Sequence, residues 1–308
     1  MSEATQAATD DVQVPVGPEA IIEELRERLA RGERLSEGAW SEFYRAVHTL
    51  DPMATEETIE PLVGSGSTHV YRGLIAWAPL IAGERVLDLG CGSGGASRAA
   101  AQIVGQNGEV VAVDSCAEAL RVARQIGDVD GGAPITYRRA RGEDLSRYGD
   151  RSFDCVIASL MLDEVGDLAT VLREIVRVLR PGGRFVASVT AFDALRPQDA
   201  AFMGAVMSVV ARHAPGALIG RASRASIPQE PNDAAAFRDS GLLVPEERDL
   251  QFSTVLETVD DAWAFFSRTK IAHILGADGR EALRETLTRR VPHSLALPIR
   301  FMRTRRPG

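Results

Sequence analysis

The residues best placed to do chemistry lie between Asp88 and Asp114. An apolar run, Arg85-Val86-Leu87-Asp88-Leu89, leads into Gly90-Cys91-Gly92-Ser93-Gly94-Gly95 and then into an Ala-rich stretch of helical character. Glycines at such a junction let the backbone turn sharply and approach a ligand with no Cβ in the way. Gly90, Gly92 and Gly95 satisfy GxGxxG, and Asp114 ends the next apolar run where an acid can bind ribose hydroxyls. A nicotinamide dinucleotide is therefore one ligand that the pattern admits. Asp88 argues against it, because a carboxylate two residues before the turn repels a pyrophosphate but suits the cationic amino-acid end of a ligand. Further ionisable groups could serve as a base: Asp163 and Glu164 after the run at 153–159, His69 and Tyr71 ahead of a helical segment, and His213 and His273 in the C-terminal half. Each also has a plain structural role open to it. Asp163 and Glu164 suit a helix cap and a solvated acid, His213 a helix end, and His69 and Tyr71 the surface and core of their helix. Cys91, Cys116 and Cys155 are odd in number and lack CxxC spacing, so they read as reduced thiols, with no metal site expected.

The elements that must hold these residues follow from periodicity. Residues 1–17 are polar and aperiodic and read as a mobile tail. A helix from Pro18 puts Ile21, Ile22, Leu25 and Leu29 on one face. A second, from about Ser36 to Leu50, puts Trp40, Phe43, Tyr44 and Val47 on one side, and a third runs from Ser67 to Leu80. From Arg85, short apolar runs (85–89, 109–114, 135–139, 153–159, 184–190) alternate with helical stretches, the pattern of βαβ units in a parallel sheet. Residues 191–245 interrupt this scheme with Ala-rich helices and a Gly/Ser/Pro-rich stretch. Strands are expected again near 247–254 and 297–304, with helices near 259–275 and 278–289 between them. The expected fold is α/β: a Rossmann-like, seven-stranded, mostly parallel sheet with an antiparallel final strand. A helical N-terminal cap (18–80) precedes the ligand-binding domain (81–308), which carries a lid insertion (191–245) after the fifth strand. Tyr71, Trp77, Phe202 and Met203 are candidates for the pocket wall, and Gly216–Asn232 for its gate.

Composition narrows the function. The 308 residues carry 35 Lys and Arg against 43 Asp and Glu, a formal charge of −8, and Lys270 is the only lysine. An acidic chain with no basic block lacks the electrostatic footprint of nucleic-acid binding. No run is long and apolar enough to span a bilayer, and the first residues carry acids where a secretory signal carries cations, so a cytoplasmic protein is expected.

Taken in order, five motifs over residues 83–190 resemble the core of a class I S-adenosylmethionine-dependent methyltransferase, of the small-molecule type related to quinone-biosynthesis C-methyltransferases. They are Val86 to Gly94, Val111-Ala112-Val113-Asp114, Gly142-Glu143-Asp144-Leu145, Ser152-Phe153-Asp154, and Leu172-Arg173-Glu174 through Leu179-Arg180-Pro181-Gly182-Gly183. The resemblance implies that Asp88 and the backbone at Gly90, Gly92 and Gly94 hold the methionine moiety. Asp114, with Ser115 beside it, takes the ribose; Gly142 and Glu143 lie along the adenine; Ser159 and Leu160 flank the sulfonium. Arg141-Gly142 departs from the acid-alanine pair frequent in the family. The implied activity is methyl transfer from S-adenosylmethionine to a hydrophobic small-molecule acceptor, in natural-product or quinone biosynthesis. The alternative is a cyclase or rearrangement enzyme that uses the sulfonium charge without transferring methyl. A non-catalytic partner and a nicotinamide dehydrogenase rank below both, and a homodimer is the assembly considered.

Overall fold

The computed structural model describes residues 17–59, 62, 69–218 and 231–308. The expected tail, the start of the third helix and most of the expected gate lie outside these residues. Pro18 occupies the first turn of α1 (Pro18–Ala30), which buries Ile22, Leu25 and Leu29. The Ser36 hydroxyl accepts a hydrogen bond from the Ala39 amide at the start of α2 (Glu37–Leu50), whose buried face carries Trp40, Phe43, Tyr44 and Val47. The short α3 (Ala54–Ile59) was not foreseen, and α4 (Val70–Trp77) is shorter than the helix expected there.

The sheet is built from β1 (Arg85–Leu89), β2 (Glu109–Asp114), β3 (Ile135–Arg139), β4 (Phe153–Ser159), β5 (Leu179–Thr190), β6 (Glu246–Leu256) and β7 (His293–Arg305). Their order across it is β3-β2-β1-β4-β5-β7-β6. The first five are mutually parallel, and β7 runs antiparallel between β5 and β6. The seven-stranded α/β fold is thus as expected. Residues Val86, Leu87 and Leu89 of β1 are almost wholly buried, as a central strand covered on both faces requires. Helices α5 (Gly95–Val104), α6 (Ala117–Ile126) and α7 (Leu168–Val178) make the crossovers. Strand order reverses at β1, with β2 on one side and β4 on the other, which opens a crevice at the C-terminal strand ends.

After β5 come α8 (Pro197–His213) and α9 (Pro231–Ser240), then α10 (Val259–Ser267), α11 (Lys270–Ile274) and α12 (Ala277–Thr288) ahead of β7. The single helix expected at 259–275 breaks at Arg268-Thr269, where the Thr269 hydroxyl donates to the Phe266 carbonyl. Helices α1, α2, α8, α10, α11 and α12 bury their apolar residues together, among them Leu29, Phe43, Phe202, Val206, Phe266, Leu283 and Leu287. The expected cap and part of the expected insertion therefore share one helical core. No helix among the described residues is long and apolar enough to cross a membrane.

Candidate active site

A cleft opens at the C-terminal ends of β1, β2 and β4, lined among the described residues by the sheet edge and by residues of α2 to α6. Its floor is the turn after β1. Gly90 has φ +71°, and a Cβ built on it would stand 2.7 Å from the Met161 Cβ. Gly92 has φ +53° with open space on its Cβ side, so this stretch of bare backbone faces the cleft. The turn is tied to β2. Gly90 and Cys91 donate their amides to the Val113 carbonyl at 2.9 and 3.0 Å, and Gly92 donates to Asp114 Oδ2 at 2.8 Å. Asp114 Oδ1 accepts from the Cys116 amide, also at 2.8 Å. Burial pushes the Asp114 carboxyl up while these two amides oppose the shift. Each carboxylate oxygen keeps lone-pair capacity beyond its one amide.

Ser159 and Leu160 end β4 on the far wall. The Ser159 hydroxyl lies 3.3 Å from that of Ser188, and Leu160 adopts φ +53°, a left-handed conformation costly for a branched side chain. That reversal brings Met161 over Gly90 and starts a 3-10 turn at Leu162–Glu164. At the β3 end, Arg141, Gly142 and Glu143 line the cleft, and Glu143 Oε1 accepts the Gly166 amide at 3.1 Å.

The roof is α2. Ser41, Tyr44, Arg45 and His48 share the face that one helical turn repeats, and all four line the cleft. His48 Nε2 stands 3.0 Å from Glu164 Oε2, and the Thr49 hydroxyl 3.7 Å from Cys116 Sγ. Pro52 and Thr55 extend the roof, and Tyr71 of α4 closes the side beside Gly95.

Ten of the residues proposed from sequence thus meet at one cleft: Tyr71, Gly90, Gly92, Asp114, Ser115, Gly142, Glu143, Ser159, Leu160 and Glu164. The others lie outside its lining. Asp88 is fully buried beneath the turn, where Oδ2 accepts from the Ser97 hydroxyl at 2.5 Å and Oδ1 has no partner among the described residues; burial raises its carboxyl to about 7. Gly94 precedes α5 as its N-cap, against Tyr137 and Arg98. Asp163 faces Lys270, whose proton it helps to hold. His69 is the N-cap of α4, with Nδ1 buried and without a partner among the described residues. His213 ends α8 against Gly279, and the His273 carbonyl accepts from Arg26. Of the expected wall residues only Tyr71 reaches the cleft. Trp77 is flanked by the guanidinium groups of Arg248 and Arg303, Phe202 stacks on His293 at 4.4 Å, and Met203 packs in the helical core. Ser41, Arg45 and His48 were missed, although their i, i+4, i+7 spacing marks a polar stripe flanking the apolar face, with Tyr44 at the border of the two.

The arrangement fits a cationic ligand that carries a ribose. Asp114, Glu143 and Glu164 put three carboxylates around the cleft, against the two guanidinium groups of Arg45 and Arg141, and the glycine turn leaves room that side chains would fill. Residues 87–187 match the family described as "Methyltransferase domain". The chain is 40% identical over 122 residues to an arsenite methyltransferase of Aquipseudomonas alcaligenes, covering 38% of this chain and 35% of that protein. It is 42% identical over 106 residues to a ubiquinone/menaquinone biosynthesis C-methyltransferase of Hahella chejuensis, covering 34% and 42%. The chain thus spans well under half the length of these relatives. The crystal structure of the YcgJ protein from Bacillus subtilis superposes with a TM-score of 0.54 at 18% identity, over 78% of this chain and 98% of that one, a likeness of fold. With the strand order, the glycine turn and Asp114 already in place, residues 87–187 form a class I methyltransferase domain, of the kind whose cofactor is S-adenosylmethionine.

Proposed function

We propose that this protein transfers the methyl group of S-adenosylmethionine to a small organic acceptor with a hydrophobic body. The observation that carries the reading is the clamp between the Gly92 amide and Asp114 Oδ2, which locks the bare turn against the one carboxylate at the end of β2. When bound, the cofactor supplies an electrophilic methyl carbon on a cationic sulfur. In this reading Asp114 accepts the ribose hydroxyls while keeping its two amide bonds, and the backbone at Gly90 and Gly92 carries the methionine portion. Gly142 and Glu143 lie along the base, and Ser159 and Leu160 stand beside the reacting carbon. The α2 roof excludes water and holds the acceptor in line, a positioning effect that can contribute ~7–11 kcal/mol to such a displacement. The surrounding carboxylates favour the cationic substrate over its neutral demethylated product.

Arsenite, the substrate in one relative's name, suits this cleft poorly. Capture of a thiophilic metalloid needs exposed thiolates. Cys91 and Cys116 line the cleft but are buried, and burial pushes the Cys91 thiol well above its ordinary range. Among the described residues no three His, Cys, Asp or Glu side chains gather as a ligand set.

Calorimetry with S-adenosylmethionine and S-adenosylhomocysteine on cofactor-stripped protein tests the reading, with micromolar binding of both expected. Asp114→Ala is expected to cost ~1–3 kcal/mol of that binding, the loss typical of a charged hydrogen-bond partner. No binding by the unmodified protein would end the proposal. Product formed without demethylated cofactor would select sulfonium-charge chemistry instead.

A further inference from the structure

His48, near the end of α2, and Glu164, in the turn after β4, are 116 residues apart in sequence and meet at the cleft. Both side chains keep more than a quarter of their surface exposed, 28% and 29%. The imidazole is tied at Nε2 only. No hydrogen bond reaches Nδ1 among the described residues, so one ring nitrogen is held and the other is open. A pair serving only to fasten two elements has no need of an open nitrogen on the wall of a ligand cleft.

The charges facing His48 come from several elements. Glu164 stands beyond the end of β4, Asp114 ends β2, and Lys270 and His273 lie on α11. The Lys270 ammonium sits 4.9 Å from the centre of the Tyr44 ring, facing Glu164 and Asp163. Burial and Lys270 weaken the hold of His48 on its proton, while Glu164 and Asp114 strengthen it, and the balance is upward from the ordinary 6.5. Glu164 itself is held below its ordinary value, chiefly by His48 against the opposing effect of burial. Lys270, pushed up to about 12, stays charged and cannot act as the base.

We propose that His48 is the catalytic proton acceptor for methylation of a phenolic or enolic hydroxyl, and that Glu164 is the positioning residue that orients its ring. The proposal rests on the methyltransferase reading above. A neutral imidazole whose proton affinity is raised by a facing carboxylate matches an acidic hydroxyl, with a pKa around 10 for a phenol, and is mismatched to an aliphatic alcohol. In the step, the acceptor oxygen forms its bond to the methyl carbon as the carbon–sulfur bond breaks. The electron pair of that bond stays on sulfur as a neutral thioether. The acceptor proton passes to Nδ1 of His48 and then to solvent at the mouth of the cleft.

The test compares the full chain with His48→Gln and Glu164→Gln, using catechol and 2-naphthol as acceptors and methyl-labelled S-adenosylmethionine. Calorimetry first establishes cofactor binding for each protein. The unmodified enzyme is expected to gain rate with rising pH through a group titrating above 6.5. Glu164→Gln moves that rise toward acid by ~1 unit, since the carboxylate that held the proton is gone. His48→Gln loses the rise and ~10²–10⁴-fold in kcat, with cofactor affinity nearly unchanged. Cofactor binding without methylation of either acceptor overturns the proposal. So does a His48→Gln variant with kcat intact and a raised KM, the signature of a mere fastener, or a Glu164→Gln profile that does not move. Failure of the unmodified protein to bind cofactor at all defeats the methyltransferase reading instead.

Discussion

Asp88 carries a carboxyl with one oxygen on Ser97, the other without a partner among the described residues, and no exposure to solvent. Its folded value of about 7 stands above the 3.8 of a free aspartate, with burial as the main cause. Between those values the native state holds a proton that the unfolded chain has released. Stability from this group is therefore full below about pH 4 and declines as pH rises toward 7. Asp88→Asn removes the titration, so the melting temperature of the native protein should fall relative to the variant across that interval, by an amount equivalent to a few kcal/mol. Parallel pH curves for the two proteins would contradict this. Gly90 is constrained differently. Gly90→Ala meets both the left-handed backbone and Met161 at 2.7 Å. It is expected to lower the melting temperature and to weaken cofactor binding together, as read by a thermal shift with and without S-adenosylhomocysteine.

At the scale of elements, α2 does two things: its apolar face enters the helical core, and its polar face roofs the cleft. Phe43 is fully buried, edge-on to Trp40 at 5.7 Å, so Phe43→Ala should cost ~3–5 kcal/mol of stability. It should also reduce cofactor affinity although residue 43 does not line the cleft; affinity equal to that of the native protein would show that the roof does not need its seat. All five strands from β1 to β5 were legible in the sequence: β1, β2 and β4 because a buried parallel strand is a short apolar run bounded by turns, and the half-exposed edge strand β3 from its place in the βαβ alternation. So was the seat of the glycine turn against Asp114, which depends on local spacing. The contact of His48 with Glu164 was not legible, since it joins elements brought together only by tertiary packing. The insertion misled for a related reason. Phe202 and Met203 signal burial, and sequence alone does not say whether a ligand or, as here, other helices cover them.

The molecule as a whole is acidic, and carboxylates gather where the cationic cofactor is proposed to bind. Screening should therefore weaken S-adenosylmethionine more than neutral S-adenosylhomocysteine as salt rises, so the ratio of their affinities, measured from low to high ionic strength, should move toward the product. Equal salt slopes would place the carboxylates out of reach of the sulfonium. The helical core under the roof joins distant parts of the chain: Arg26 of α1 donates to the carbonyl of His273, 247 residues further on. Closing so long a loop is slow compared with pairing neighbouring strands. On the ribosome, β1 to β5 can pair while α1 and α2 still wait for α10 to α12 to be made. A nascent chain can thus own a finished glycine turn and still lack its roof, so competence to exclude water arrives late in synthesis, well after the cofactor's floor is laid.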